Sequence, residues 1–209
     1  PEEHEKIRKY APEWTEYANL HFDFVDKFKT SAPPHIRIKF EGVDGFSSFL
    51  GTDSLREPQE PSMLLELSHY MNQQSQTSNA TEVAELERYI RSTILHEFGH
   101  ALGFIHEHSR PDIEIFKSDE QSRKLIYDYF LKNQGWDKSM VDNNVLDKET
   151  QKLIMTPEPD IHSIMMYSFS GELLKDGKDI PWNFGLTDLD KSLVKQVYPA
   201  KRLRQRSRL

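Results

Sequence analysis

At 209 residues the chain is long enough to bury one substantial core, open to division into two lobes around a cleft. It has no cysteine, which excludes disulfides and thiolate metal ligands and leaves histidine and carboxylate to hold any metal. No apolar run approaches the roughly eighteen residues of a membrane-spanning helix, and a net charge of -7 argues against general affinity for nucleic acid.

The chain opens at Pro1 with no charged-then-apolar leader, as expected of a processed or trimmed protein. From Glu2 to Asn19, residues Ile7, Tyr10, Trp14, Tyr17 and Ala18 recur at helical spacing, and Pro12 within that run predicts a kink or two short helices. Four short strands are predicted next: the alternating LHFDFV of Leu20–Val25 and HIRIKF of His35–Phe40, then Ser47–Gly51 and Met63–Leu67. The polar stretch Ser68–Ser78 reads as a loop.

A long helix is predicted from Asn79 or Thr81, with Glu82 three residues after Asn79 as in a capping box. Val83, Leu86, Ile90, Ile94, Phe98 and Ala101 carry its apolar spacing into the stretch His96–Asp112, HEFGHALGFIHEHSRPD. Each residue turns a helix by about 100°, so His96 and His100 share a side and can offer imidazole nitrogens to one ion. Glu97 lies between them but turned away, placed to reach a water on the metal rather than the metal itself, which is a general base's position. On a continuing helix His106 would point roughly 240° away from His100, so the helix has to end first. Gly103 can supply the break, because without a β-carbon it takes the left-handed conformation that ends many helices. Three histidines then leave one position open, the pattern of a catalytic rather than a structural zinc. A bare HExxH arises often by chance; the glycine and third histidine at these offsets make ordinary core histidines a poor explanation. His108 is read as structural, since His96, His100 and His106 already complete the set.

Beyond Pro111, Ser118–Lys132 is predicted as a helix, with Gln121 three residues after Ser118, apolar Leu125, Ile126, Tyr129 and Phe130, and a stop at Gly135. Trp136–Asn144 reads as a short helix and then a loop. The stretch His162–Ser168, HSIMMYS, would by itself be a piece of buried strand or turn with methionine filling a gap. Thr187–Tyr198 is a last helix with Leu189, Leu193, Val194 and Val197 on one side, stopped by Pro199. After it, Lys201, Arg202, Arg204, Arg206 and Arg208 form a basic tail, read as a disordered end or the start of a linker, so the rest of the chain is more acidic than the overall charge shows.

Taken together, HExxHxxGxxH and the downstream methionine resemble the metzincin zinc peptidases. With Glu107 and Arg110 completing HExxHxxGxxHExxR, and Ser163, Met165 and Tyr167 forming SxMxY, the chain resembles their astacin-like branch. The resemblance implies an α+β fold of the metzincin-type zincin: a twisted mixed β-sheet over a long active-site helix, with a largely irregular and helical C-terminal lobe. It implies a single catalytic domain over 1–209, with the sheet and active-site helix in 1–106, the Met-turn in 107–200 and the basic tail in 201–209. Zn2+ would be held by His96, His100 and His106, with Met165 in the Met-turn beneath it. Tyr167 would be a hinged extra ligand that swings off to hydrogen-bond the oxyanion. Phe46–Asp53, FSSFLGTD, matches the antiparallel edge strand that pairs with extended substrate in relatives, a sensible role for free backbone groups. The family's sheet usually begins with a strand ahead of its first helix, and this chain begins inside that helix. Glu107 stands where astacins anchor the freed N-terminus. The lack of disulfides departs from many astacin-like enzymes and suits a microbial member.

The chain is therefore expected to be a zinc-dependent endopeptidase that hydrolyses peptide bonds in proteins through a zinc-activated water, with Glu97 as general base and Tyr167 as the second catalytic residue. Expected partners are protein or peptide substrates, with no nucleic acid and no membrane, for a secreted monomer. The alternative is a catalytically silent, zinc-stabilised peptide-binding module, which would have no need for Glu97.

Overall fold

The computed structural model describes residues 2–25, 34–43, 45–149 and 156–200, so the basic tail predicted over 201–209 lies outside the described residues. The first predicted helix divides at Pro12. Helix α1 spans Glu2–Tyr10, and a 3-10 helix over Ala11–Glu16 follows with the proline in its first turn, where a missing N–H leaves no bond unmade. Trp14, 1% exposed, anchors this segment by donating from Nε1 to the Leu95 carbonyl at 3.0 Å.

Three strands form among the described residues where four are predicted. They are β1 (Ile38–Lys39), β2 (Phe46–Ser48) and β3 (Met63–Leu65), in the order β1-β3-β2. Ile38 pairs with Met63 in parallel, and Phe46 pairs with Leu65 antiparallel, so the sheet is mixed and β2 lies at its edge. Leu20–Val25 is not part of this sheet. Its alternation sorts two faces without supplying a ladder partner: Phe22 sets its ring edge-on to Phe98 at 5.3 Å, and the Arg8 guanidinium lies over Phe24. The excursion from β2 to β3 is held by the buried Arg37, which donates to the carbonyls of Ser54, Glu57 and Glu60 at 2.7, 3.0 and 2.6 Å.

Most of the predicted loop over Ser68–Ser78 is helix α2, Ser68–Gln76. Only Tyr70 and Met71 set apolar surface against the core, too sparse a pattern to declare a helix. Its hold on the next helix is aromatic and polar, with Tyr70 stacked on Tyr89 at 5.9 Å and Gln74 donating to the Val83 carbonyl and to Glu87, each at 3.1 Å.

Helix α3, Ala80–Ala101, is the long predicted helix. Asn79 caps it by accepting from the Thr81 N–H at 3.0 Å, while Glu82 accepts from the Thr77 hydroxyl at 2.6 Å. Leu86, Ile90, Ile94, Leu95 and Phe98 are buried along it. In its N-terminal half Glu87 gathers Lys6 at 2.6 Å, Lys9 at 3.2 Å, Tyr10 and Gln74, which ties α1 and α2 to α3.

The remaining helices are α4 (Glu120–Gln134), α5 (Lys138–Val141) and α6 (Asp188–Val197). Asp119, rather than Ser118, caps α4 by accepting from the Ser122 N–H at 2.9 Å, and Gly135 ends it at φ +71°. A π-helical turn over Asp142–Leu146 stands where a loop is predicted after α5. Thr187 and Asp190 complete a capping box on α6.

Two apolar cores result. The first gathers Trp14, Leu65, Ile94, Phe98 and Met165 with Val194 of α6; the second gathers Ile126, Phe130, Val141, Met166, Phe169 and Leu173. Adjacent methionines therefore serve different cores, and the last helix in sequence closes the first core. Among the described residues no helix is long and apolar enough to cross a membrane.

Candidate active site

Helix α3 delivers His96, Glu97 and His100 in its last turns. It then stops as Gly103 takes φ +94°, with the Gly103 N–H donating to His100 O at 2.8 Å and the Phe104 N–H to Gly99 O at 3.0 Å. These two bonds satisfy carbonyls that a helix end leaves open, and the chain doubles back. His106 is thereby brought to the other two. The Nε2 atoms of His96, His100 and His106 stand 3.1, 3.1 and 3.2 Å apart. The turn after β2 passes close to the end of α3: a β-carbon on Gly51 would lie 3.4 Å from the Gly103 α-carbon.

His96 Nδ1 donates to Ile164 O at 2.7 Å and His100 Nδ1 to Phe104 O at 2.8 Å. A carbonyl can only accept, so both rings carry their proton on Nδ1 and turn Nε2 lone pairs toward the shared point. Lone pairs so close repel unless a cation lies among them. Nitrogens bound tetrahedrally to zinc at 2.0–2.1 Å stand about 3.3 Å apart, so the three rings fit that ion. Burial pushes His96 down to about 4; burial, with His96 adding, pushes His100 down to about 3; burial and the neighbouring histidines hold His106 well below its usual range. All three stay neutral, the form that ligates metal.

Glu97 is 5% exposed, and burial pushes its carboxyl up to about 8. Among the described residues its Oε2 has no hydrogen-bond partner. Tyr167 completes the group, its ring 4.1 Å from the His106 ring and stacked at 5.7 Å on His96. Burial raises its phenol, and the charge of Glu97 adds to that, so it stays protonated at neutral pH.

Met165 lies directly against α3. A β-carbon at Gly99 would stand 2.4 Å from Met165 Sδ and 3.2 Å from Trp14, so only glycine lets the turn pack this close. The sequence reading overlooks Gly99, although a glycine inside a helix costs about 1 kcal/mol against alanine and signals some close approach. Glu107 is not on the surface. Its N–H donates to Met165 O at 2.9 Å, and its Oε1 accepts from the Asp160 N–H at 2.8 Å and from Arg110 at 3.0 Å. Arg110, 2% exposed, also forks onto Asp112 at 2.9 and 2.8 Å and donates to the Thr156 hydroxyl at 2.6 Å. His108 is fully buried and stands apart from the Nε2 trio, stacking on His106 and donating from Nε2 to Asn144 O at 3.0 Å. A cavity of about 240 Å³ adjoins Met165, with Glu107, Asp160 and Asp190 in its wall. The larger open groove, about 1160 Å³ between α4 and α5, is lined by none of the motif residues.

The family model for astacin, a peptidase family, matches residues 85–172. A solved structure of myroilysin is 32% identical, covers 97% of this chain, is itself covered over 89% of its length, and superposes with a TM-score of 0.75. The chain belongs to the astacin family. A second myroilysin structure, also 32% identical, covers 95% of this astacin and is covered over 78%, with a TM-score of 0.59. High choriolytic enzyme 1, a hatching-enzyme zinc protease of the medaka fish Oryzias latipes, is 16% identical over 95% of this chain and 84% of its own; its TM-score of 0.55 shows a shared fold. No curated protein matches this astacin at the same stringency. Family and site together make it a zinc-dependent metalloendopeptidase of α+β metzincin architecture, acting on protein or peptide substrates.

Proposed function

We propose that His96, His100 and His106 hold the zinc of this astacin and that Glu97 is its general base. The convergence of three Nε2 atoms within 3.2 Å of one another, beside a buried carboxylate, carries the reading. Zinc bound there supplies a Lewis acid that polarises a carbonyl and acidifies a water. Glu97 takes the proton of the attacking water and returns it to the leaving amine. Tyr167, protonated and packed on two of the ligands, donates to the oxyanion. Met165 packs under α3 at Gly99 and supports the ligand helix from below. The free edge of β2 receives the extended substrate by backbone pairing.

The same reading assigns residues 1–106 and 107–200 to the two lobes of one catalytic domain over 1–209, acting as a secreted monomer without nucleic-acid or membrane partners. A second core drawn wholly from residues between Ile113 and Ile180 supports a separate C-terminal lobe, with Met165 and Val194 reaching back into the first core, and family membership supports secretion.

Incubating the zinc-loaded protein with a mixed peptide library and mapping cuts by mass spectrometry tests the roles. Glu97→Ala should lower turnover by roughly 10²–10⁴-fold while metal analysis still finds zinc bound. Cutting at the wild-type rate by that variant rules Glu97 out as the base.

A further inference from the structure

In the sequence Asp190 is only a helix residue, yet it is 6% exposed and its carboxylate accepts from three donors, while the carboxylates of Asp160 and Glu107 face it across the cavity beside Met165. Oδ1 accepts from the Ser163 hydroxyl at 2.6 Å. Oδ2 accepts from the Ile164 N–H at 3.1 Å and the Thr187 N–H at 2.9 Å. Ser163, 2% exposed, accepts in turn from the Met165 N–H at 3.0 Å. That N–H belongs to the same peptide unit as Ile164 O, which accepts from His96 Nδ1 at 2.7 Å. A continuous chain of hydrogen bonds thus runs from His96 through the Ile164–Met165 peptide and the Ser163 hydroxyl to Asp190, with every donor pointing toward the carboxylate.

We infer that Asp190 is a positioning residue for the zinc site: anchored on α6, it fixes the Met-turn peptide that orients the His96 ring. This rests on the assignment of His96 as a ligand. A metal-binding histidine needs its other nitrogen held, most directly by a carboxylate or carbonyl, and loss of such a partner typically weakens metal binding 10–100-fold. Here the carbonyl is supplied by a turn with no ladder of its own, so the carbonyl must itself be held. Asp190 supplies that hold from both sides of Ile164, directly at its N–H and through Ser163 at the next one. Bonds in such a chain also polarise one another toward the buried charge, which strengthens the bond at His96.

The test is zinc loss from the holoenzyme to a chelator of known affinity, read beside the visible spectrum of the cobalt-substituted protein. Asp190→Ala and Ser163→Ala should each weaken zinc binding roughly 10–100-fold and shift the cobalt bands. Asp190→Asn, whose amide oxygen can still accept both N–H groups, should recover all but a few-fold of that loss. Thr187→Ala removes the hydroxyl that caps the same helix and donates to Asp160 at 2.6 Å, outside the chain from His96 to Asp190, and should leave zinc affinity and the cobalt spectrum as in wild type. Where Asp190→Ala fails to fold by circular dichroism, Ser163→Ala carries the test, since it breaks the chain and leaves Asp190 bound to Ile164. Wild-type zinc affinity in folded Asp190→Ala or Ser163→Ala overturns the inference, and so does an equal loss in Thr187→Ala, which would make the effect one of helix stability. His96→Ala, run alongside, separates the two readings. If it keeps zinc at wild-type affinity the ligand assignment fails, whereas loss there with full affinity in Asp190→Ala removes only the role of Asp190.

Discussion

Two stretches meet at the histidines, and they are held in opposite ways. His96–Gly103 rests on its own helix: the i, i+4 spacing of the first two histidines, the left-handed glycine and the two bonds that close the helix end all lie within nine residues of sequence. Residues 160–167 contain turns and bends but neither helix nor strand; short-range bonds such as Ser163 N–H to Asp160 O and Met166 N–H to Ser163 O, each 3.1 Å, close the turns, but what fixes them to the rest of the protein comes from afar. Asp190 takes Ser163 and Ile164, Glu107 takes the Met165 carbonyl, and Asn183 donates to the Ser163 carbonyl at 3.0 Å. A locally determined half therefore meets a half whose shape exists only after folding. Damage to the first should act on chemistry with the fold intact, whereas damage to the bonds and packing that hold the second, or to the seam, should reach both.

The largest expected difference from the turn side is Tyr167→Phe. Losing the phenolic donor should lower kcat by about 10²-fold, near 2.7 kcal/mol of transition-state stabilisation, with KM and zinc content little changed. Steady-state kinetics with metal analysis read this, and a variant as fast as wild type would leave Tyr167 a packing residue only. At the seam, Gly99→Ala places a methyl where Met165 Sδ and Trp14 already stand. Alanine favours helix over glycine by about 1 kcal/mol, but overpacking costs about 1–3 kcal/mol, so a net loss in urea unfolding is expected together with weaker zinc binding. A gain in stability would mean that the turn yields to α3 rather than being fixed against it.

The smallest effect lies at the far end of the same helix and sharpens the contrast by sparing the site. Burial alone would raise the Glu87 carboxyl, but hydrogen bonds from Lys6, Tyr10, Gln74 and Lys9 outweigh it and hold the group at about 2. A carboxyl depressed on folding stabilises fully above its ordinary value near 4.5 and loses that contribution as pH falls toward 2. The stability difference between wild type and Glu87→Gln should therefore shrink between pH 5 and 3, as unfolding midpoints across that range would reveal. The pair is partly exposed, so solvent screening keeps the effect at or below about 1 kcal/mol, and zinc affinity at neutral pH should not move.

How much of the molecule the sequence discloses follows the same line. Helix α3 and its ligands are legible because a 3.6-residue period repeats over 22 residues and each ligand offset has one helical meaning. Leu20–Val25 reads as a strand because alternation records which side chains face inward, and an extended segment laid on a core alternates just as a paired one does. Ser68–Gln76 reads as a loop because a helix held by Tyr70, Met71 and Gln74 shows too few apolar residues to reveal its period. In the site, Glu107 and Arg110 belong to a recognisable motif, but their burial together and their grip on Asp160 and Thr156 join positions about fifty residues apart. Gly99 and Asp190 pass in the sequence as ordinary residues of their helices.

The sequence by itself determined the class of chemistry of this protein: two histidines and a glutamate on a helix that breaks at Gly103, with a third histidine just beyond, the spacing of a metzincin zinc peptidase. Tertiary structure alone decided how that chemistry is held in register. The contact of Met165 on Gly99, the burial of Glu97 and the chain from Asp190 to His96 each join residues that only the folded core brings within reach. The physical reason is range. Helical periodicity and backbone conformation are encoded within a few residues, whereas burial and a hydrogen bond across a turn depend on partners that the chain places side by side only when both cores have formed.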